Sequence, residues 1–193
     1  FAFLLLDVSG RKQGELALRK ALALLDAVFE SAPIGLAFCG RDLRFEKVNQ
    51  ALADINGLAI EDHVGRTPAE VLPELERANP IMAHWQEILD TGEAVLNVEI
   101  SGRTPGSPEE TRWWLENWFP VKVEGKRIGV AATVLDITAR RKAEEEIKQS
   151  HDRLEAMVQE RTAQLENTVR ALENEISERR VVQTRYSQLS RVF

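Results

Sequence analysis

The most chemically suggestive part of the sequence is a group of aromatic residues around one carboxylate. Trp114, Glu116 and Trp118 alternate along one predicted strand, so their side chains share one face of it. Trp113 and Phe119 lie on the opposite face, and a bulge would exchange the two faces, so the sequence leaves open which face turns inward. An apolar pocket with one carboxylate suits a polar ligand or the edge of a flavin. Packing without a ligand is the alternative.

Residues that commonly carry catalysis or bind metals do not form a recognisable set. The sequence has no glycine-rich phosphate loop, no nucleophile elbow and no His-Glu-x-x-His spacing. Its single cysteine, Cys39, excludes an internal disulfide framework and fits a reducing cytosol. We therefore predict a cytoplasmic protein that is not an enzyme and holds no metal.

The charge of the chain is unevenly distributed. The 193 residues include 25 basic and 31 acidic ones, a net charge of −6. Eleven basic and ten acidic residues lie in positions 138–193, which leaves a net charge of −7 on positions 1–137. Nucleic-acid affinity rests on clustered Lys and Arg, so nucleic acid is not an expected partner. No apolar run approaches the ~20 residues of a membrane span, so we expect no membrane contact either.

The last third of the chain is predicted to form one long helix. Positions 139–193 contain no proline or glycine and are rich in good helix formers. Apolar residues recur there at steps of three and four, which is typical of a coiled coil. The predicted seam is Ile147, Leu154, Val158, Leu165, Val169, Leu172 and Ile176. A small domain cannot bury so long a stripe, so we predict a parallel homodimer, with a flexible tail as the alternative.

The beginning of the chain carries a shorter version of the same pattern. Leu18, Leu22, Leu25 and Phe29 lie on one helical face, and we expect them to join the dimer interface. Before them, Leu5-Leu-Asp-Val-Ser-Gly-Arg repeats the order of Val134-Leu-Asp-Ile-Thr-Ala-Arg. Positions 1–9 are therefore predicted to be the end of a preceding, similar domain.

Between the two helical segments, the pattern predicts a mixed α+β domain. The predicted strands are Gly35–Cys39, Leu43–Val48, Val95–Ile100, Arg112–Val123 and Ile128–Ile137. Asn49 is predicted to cap a short helix from Gln50 to Ile55. Short helical pieces follow near 61–63 and 68–72, then a longer helix over Glu76–Leu89. Residues Ser101–Glu110 are predicted to be a mobile loop because they are rich in Gly, Pro and Ser.

An ordered set of motifs resembles a PAS domain of a bacterial signalling protein. The motifs are Pro33-Ile-Gly, Val48-Asn-Gln-Ala-Leu, Val64-Gly-Arg, Asp90-Thr-Gly-Glu, Asn117-Trp-Phe-Pro-Val and Leu135-Asp-Ile-Thr-Ala-Arg-Arg. The resemblance covers Leu24 to Arg141. It implies a five-stranded antiparallel sheet with helices on one face, followed by a signalling coiled-coil helix. The implied boundaries are 1–9 for a preceding domain, 10–31 for a flanking helix, 32–137 for the PAS domain and 138–193 for the signalling helix.

The resemblance also suggests candidate cofactor and phosphoryl sites. His84 lies on the helix where haem-binding members carry the iron ligand, but about one turn closer to Thr91-Gly92. Cys39 lies on the first strand and not on the helix that carries the flavin adduct in light-sensing members. His151 resembles a kinase phosphoacceptor, but the kinked second helix and the ATP-binding domain are absent from this sequence. We expect no cofactor, keep flavin and haem open, and expect His63 to be solvated.

The resemblance leads to two functional hypotheses. In the first, a sensory or relay module of a histidine kinase (two-component system) or diguanylate cyclase detects a small ligand, a redox state or an upstream conformational change. Its tentative ligand-binding residues are His84, Trp85, Trp114, Glu116 and Trp118, and its signal-transmission residues are Asp136, Ile137 and Thr138. Asp136 and Thr138 have short side-chain oxygens that can accept first-turn amides, and an ordinary helix cap is the simpler role for each. The second hypothesis is a ligand-free dimerisation spacer.

Overall fold

The computed structural model describes the backbone of residues 2–189 and the side chains of residues 11–183. Its helices are α1 (Ala2–Ser31), α2 (Gln50–Asn56), α3 (Ile60–His63), α4 (Pro68–Val71), α5 (Pro73–Ala78), α6 (Ile81–Thr91) and α7 (Thr138–Leu189). Its strands are β1 (Gly35–Gly40), β2 (Phe45–Val48), β3 (Val95–Thr104), β4 (Ser107–Val123) and β5 (Lys126–Asp136). Phe1–Arg141 form one compact unit and Lys142–Phe193 a second. Within the described residues, no helix combines the length and apolar character needed to cross a bilayer.

The strands form one antiparallel sheet in the order β2-β1-β5-β4-β3. The predicted fold class, a five-stranded antiparallel sheet with helices and a long C-terminal helix, is confirmed. The consecutive strands β3, β4 and β5 are joined by tight turns. By contrast, β1 pairs with β5 although the other three strands and helices α2 to α6 lie between them in the sequence. The helices α2 to α6 fill the gap in sequence between β2 and β3 and cover the inner face of the sheet.

The sheet has one buried face, which the helices cover. On β4, Trp114 and Trp118 are each 1% exposed, whereas Trp113 on the other face is 38% exposed. Val130, Ala132 and Val134 show the same alternation on β5. The face that carries Trp114, Glu116 and Trp118 is therefore the inner face of β4. The sequence alone did not decide this, because both faces of the strand carry aromatic residues.

The predicted long helix over Glu76–Leu89 is wrong, because the structure divides it into α5 and α6. Pro80 has no amide hydrogen and cannot continue a helix. Asn79 ends α5, and its Nδ2 donates to the carbonyl oxygens of Leu75 (3.2 Å) and Ser101 (3.1 Å). The break turns the chain so that α6 begins at Ile81 against the sheet.

The predicted mobile loop over Ser101–Glu110 is also wrong, since β3 and β4 extend until only Pro105 and Gly106 separate them. This hairpin end is bonded to the C-terminus of α2. Thr104 Oγ1 donates to the carbonyl of Ile55 at 3.1 Å, and the Gly106 amide donates to that of Asn56 at 2.9 Å. A Cβ on Gly57 would lie 2.1 Å from the Gly106 Cα, so the backbones approach more closely than side chains allow.

Helix α1 begins at Ala2, whereas the sequence pattern predicts a helix only from residue 10 onward. The side chains of residues 1–10 lie outside the described residues, so the assignment of 1–9 to a preceding domain stays a prediction. The same holds for the predicted boundaries at 32, 137 and 138, and for the part of the signalling helix beyond Gln183.

Asn49 joins three elements through one buried side chain. It is 0% exposed. As predicted, it caps α2, because its Oδ1 accepts from the Leu52 amide at 3.0 Å, and the same oxygen accepts from the Leu36 amide at 2.8 Å. Its Nδ2 donates to the carbonyls of Phe29 (3.1 Å) and Ile34 (2.9 Å). All four hydrogen-bonding positions of the amide are therefore used, and the end of α1 is bonded to the sheet.

We predict that Asn49→Ala lowers the free energy of unfolding by about 4 kcal/mol, because it removes a helix cap and leaves buried backbone groups without partners. Urea unfolding followed by circular dichroism measures the change. Gln50→Ala is the control, since Gln50 is exposed and bonds only to Asp54; we expect a change within about 0.5 kcal/mol. A loss below about 1 kcal/mol for Asn49→Ala would contradict the proposed bonding role.

Candidate functional site

A small cavity lies between the inner face of the sheet and helices α2, α4, α5 and α6. Its volume is about 40 Å³, enough for a few water-sized groups at roughly 10–15 Å³ each. Most of the wall is aliphatic, and its aromatic side chains are Phe45, Trp85 and Trp114. The polar residues of the wall are Asn56, Glu76 and Glu116. Such a wall suits a small molecule that is apolar over most of its surface.

Glu116 places a carboxyl group in this apolar wall. It is 6% exposed, and its Oε2 accepts a hydrogen bond from Trp118 Nε1 at 2.6 Å. Burial raises the pKa of Glu116 to about 7, and the bond from Trp118 opposes that rise. The carboxyl therefore changes its protonation near neutral pH, and its hydrogen-bond partner Trp118 comes from the same strand.

Two indole N–H groups in the wall lack an acceptor. Trp85 and Trp114 are 3% and 1% exposed, and neither Nε1 has a hydrogen-bond partner among the described residues. A buried donor without an acceptor costs about 1–3 kcal/mol. Native structures rarely leave such groups unpaired, so each is expected to find water or a ligand atom.

The five tentative ligand residues do not all line the cavity. Trp85, Trp114 and Glu116 do, whereas His84 and Trp118 are outside its wall. His84 lies with its ring centroid 5.5 Å from that of Trp118, and its Nδ1 donates to the Pro80 carbonyl at 2.8 Å. Trp118 acts on the cavity through its bond to Glu116. The ligand-binding role of the set stays a prediction.

His63 is buried, so the expectation that it is solvated is wrong. It is 0% exposed. Its Nδ1 donates to the Ala59 carbonyl at 2.8 Å, and its Nε2 accepts from Asn56 Nδ2 at 2.9 Å. These bonds specify one neutral tautomer and orient Asn56 at the cavity wall. The polar residues Glu61 and Asp62 suggested an exposed segment. Ile60 and His63 are three residues apart, however, and lie on one helical face.

Glu76 is an ionisable cavity residue that the sequence pattern did not reveal. Its carboxylate accepts from the Met82 amide at 3.1 Å through one oxygen and 3.3 Å through the other. Burial raises its pKa, against the effect of the hydrogen bonds from Met82 and Ile81. Its place follows from the break at Asn79-Pro80, because in an unbroken helix Glu76 would not meet the first turn of α6.

Haem and flavin fit this site poorly. Both are far larger than a cavity of about 40 Å³. His84, the candidate iron ligand, lies outside the cavity wall. Cys39 is 0% exposed on β1, and burial raises the pKa of its thiol well above the usual range, which disfavours the reactive thiolate.

The junction between β5 and α7 is a compact set of hydrogen bonds. Asp136 Oδ1 accepts from the Thr138 amide at 2.8 Å, and its Oδ2 accepts from Arg112 Nη1 at 3.3 Å. Asp136 thus meets the first turn of α7, as the sequence predicts. Thr138 differs from the prediction that it accepts a first-turn amide, because its Oγ1 accepts from the Trp113 amide of β4 at 2.9 Å. The Ile137 amide adds a bond to the Trp113 carbonyl at 2.9 Å.

Strand β4 reaches both the cavity and the junction through consecutive residues. The backbone of Trp113 bonds to Ile137 and Thr138, and its ring lies 5.3 Å from the Arg141 guanidinium. Trp114 follows directly and lines the cavity on the other face. Neighbouring residues of β4 therefore contact the cavity and the start of α7.

Comparison with protein families identifies the fold. The model of a family described as the PAS fold matches residues 29–142, more than half of the chain. None of the curated proteins matches this chain.

Solved structures of PAS domains have a similar fold. A PAS domain from Colwellia psychrerythraea is 14% identical with a TM-score of 0.51, over 62% of this chain and 98% of that one. A PAS domain of an HTR-like protein from Haloarcula marismortui is 21% identical with a TM-score of 0.52, over 65% and 99%. VqmA of Vibrio cholerae is 22% identical with a TM-score of 0.52, over 60% of this chain and 51% of that one. At these identities the likeness concerns the fold.

The pKa of Glu116 predicts that its contribution to stability falls as pH rises. Between the ordinary value of 4.5 and about 7 the unfolded chain loses the proton while the folded one keeps it. The folded state should therefore lose about 2–3 kcal/mol between pH 5 and pH 8. Glu116→Gln should remove this part of the pH dependence, measured by urea unfolding at both pH values. Glu74→Gln makes the same charge change at an exposed site and should leave the dependence unaltered; equal curves for both variants would contradict the assignment.

Proposed function

Since the chain belongs to the PAS family, we propose that it is a sensory relay module. The module detects a small ligand, a redox state or an upstream conformational change. It passes the signal through a dimeric coiled coil to an output domain, such as that of a cytoplasmic histidine kinase in a two-component system or of a diguanylate cyclase. PAS domains form a generic family of sensory and signalling modules, and the specific assignment rests on the contacts of this chain.

The observation that carries the proposal is the pair Trp113 and Trp114. One residue lines the cavity, and the other holds the start of α7 through its backbone amide and carbonyl. Because adjacent residues of a strand share one peptide unit, a shift at one displaces the other. Among the candidate features of the chain, this pair supports transmission from the cavity to α7 most directly.

The surface of α7 supports a partner helix. Its apolar residues are exposed along the described length: Ile147, Leu154, Val158, Leu165, Val169, Leu172 and Ile176 are 51–70% exposed. Burial of such side chains stabilises a structure by about 1.5–3 kcal/mol each. The heptad spacing lets two copies bury them against each other in a parallel coiled coil.

Helix α1 supports the same proposal. Leu18, Leu22 and Leu25 are 53–66% exposed, whereas Phe29 at its end is partly covered and receives the Lys47 ammonium at 4.5 Å from its ring centroid. Among the described side chains of α1, from residue 11 onward, those near its C-terminal end contact the domain. We propose that the three leucines contribute to the dimer interface as well.

The cavity of this chain, and not its likeness to other proteins, supports small-molecule detection. VqmA of Vibrio cholerae has been solved in a complex with a ligand and DNA, but its likeness to this chain concerns the fold. In this chain, Glu116 and the two indole N–H groups supply polar contacts within an apolar wall. That combination favours a ligand-responsive module over a ligand-free spacer. A spacer would be more stable with a fully apolar core.

We predict that the homodimer is parallel, so that equivalent positions of α7 meet. Leu165→Cys should form a disulfide-linked dimer under mild oxidation, whereas Asn167→Cys, two residues away and off the seam, should react at least about tenfold more slowly. Nonreducing gel electrophoresis measures both rates. Cys39 is buried and can remain in place. A monomer by sedimentation equilibrium at micromolar concentration, or equal rates at the two positions, would contradict the prediction.

We further predict that Thr138→Val alters the coiled coil. The variant keeps the shape of the side chain and removes the acceptor for the Trp113 amide. Cysteine crosslinking scanned over positions 150–183 should change at least about threefold at some seam positions, because the start of α7 loses its side-chain hydrogen bond to β4. Thr168→Val is the control, since Thr168 bonds only within its own helix. The same crosslinking pattern in both variants and the parent would exclude the relay and favour the spacer.

A further inference from the structure

The chemistry of the cavity wall restricts the charge of its ligand. The ionisable residues of the wall are Glu76 and Glu116, and no Lys, Arg or His lines it among the described residues. An anionic ligand would therefore meet two carboxyl groups and no cation. Burying an unpaired anion in such a wall is strongly unfavourable, so anions are poor candidates.

The two unpaired indole N–H groups restrict the ligand further. Trp85 and Trp114 each present a buried donor without an acceptor in the described part of the chain. An ammonium or amidinium ligand offers only donors, so it would leave both N–H groups unpaired. An oxygen with two lone pairs can accept from both, and a carbonyl oxygen is the simplest group with that capacity.

Glu116 supplies the complementary contact. Its Oε2 accepts from Trp118, and no hydrogen bond to Oε1 is made by the described residues. A ligand N–H or O–H group can therefore donate to Oε1. A ligand with a donor beside its carbonyl can therefore bond to Glu116 and to the two indole groups together.

We propose that the cavity binds a small, uncharged carbonyl compound that also carries an N–H or O–H donor, as in an amide. Its carbonyl oxygen accepts from the indole N–H groups of Trp85 and Trp114, and its donor bonds to Glu116. The inference rests on the proposed sensory function and names the chemical class of the ligand. The cavity of about 40 Å³ has room for roughly four heavy atoms, which form the polar end of the ligand.

Four planar probes of equal size test the class: acetamide, acetone, acetate and acetamidinium. They share their shape and differ in charge and in hydrogen-bonding groups. The readout is the ¹H–¹⁵N spectrum of the indole Nε1–H groups, in which the four tryptophans are assigned by single Trp→Phe variants. Trp113 is an internal control, because it lies on the outer face of the sheet.

Acetamide should shift the Trp85 and Trp114 signals saturably, with half-saturation at about 1–10 mM as expected for so few atoms, and leave Trp113 in place. Acetone should bind about tenfold more weakly for lack of a donor. Acetate and acetamidinium should produce no saturable shift below about 100 mM. Tighter binding of either charged probe, or equal binding of acetone and acetamide, overturns the proposed class.

Two variants of Glu116 test its part. Glu116→Leu should weaken acetamide binding about tenfold and leave acetone binding unchanged, because only acetamide donates to residue 116. Glu116→Gln keeps a carbonyl oxygen and should keep acetamide binding within about threefold. If acetamide and acetone are weakened equally by Glu116→Leu, the specific bond is absent and the proposal fails.

The ligand class and the relay can fail separately. Saturable shifts with a charged probe overturn the class but leave small-molecule sensing in place. Shifts that are linear and equal in all four tryptophans, or no shift with any probe, overturn cavity binding of this class. The crosslinking pattern of Thr138→Val is measured without any probe, so an unchanged pattern overturns the relay whatever the indole spectra show.

Discussion

The alternation of side chains along β4 is the constraint on which the rest of this domain depends. Consecutive side chains of a strand face opposite sides of the sheet, so Trp114 can line a buried cavity while the Trp113 ring lies against the Arg141 guanidinium of α7. The strand lies between β5 and β3 and is paired along both edges. It cannot slide by one residue without moving Glu116 to the solvent face. Cavity and junction are therefore held in one register.

The buried polar groups of β4 lower stability, and in the proposed function they are the groups that would respond to a ligand. Glu116 would be replaced by an apolar residue in a domain selected for packing alone, since burial raises its pKa to about 7. The bond from Trp118 compensates only part of that cost. Asn49, by contrast, has all its hydrogen-bonding positions filled and fastens α1, β1 and α2. The surroundings of Asn49 and the cavity wall thus differ in how completely their buried polar groups are paired.

Much of this architecture could be predicted from local patterns, and the failures have physical causes. The cap at Asn49, the strands and the long C-terminal helix follow from turn residues and periodicity. The inner face of β4 could not be predicted, because both faces carry tryptophan or phenylalanine. Pro80 alone predicts a helix break at Asn79-Pro80, but the periodic pattern on either side predicts one continuous helix. Burial of His63 and the cavity position of Glu76 depend on contacts between elements, which no short window of sequence contains.

The energy scale of the junction is compatible with control by a small ligand. The contacts between β4 and the start of α7 include the hydrogen bonds of the Trp113 backbone, the contact of its ring with Arg141, and the exposed ion pair of Arg112 with Asp136 at the end of β5. A hydrogen bond contributes about 0.5–1.5 kcal/mol net, and an exposed ion pair less than about 1 kcal/mol. Two or three bonds to a ligand in the cavity are of the same size. Since a ligand shifts an equilibrium only by its differential affinity for the two states, a junction much stronger than this one would not respond. The weakness of these contacts is therefore a requirement of a relay, whereas a static spacer would gain from stronger ones.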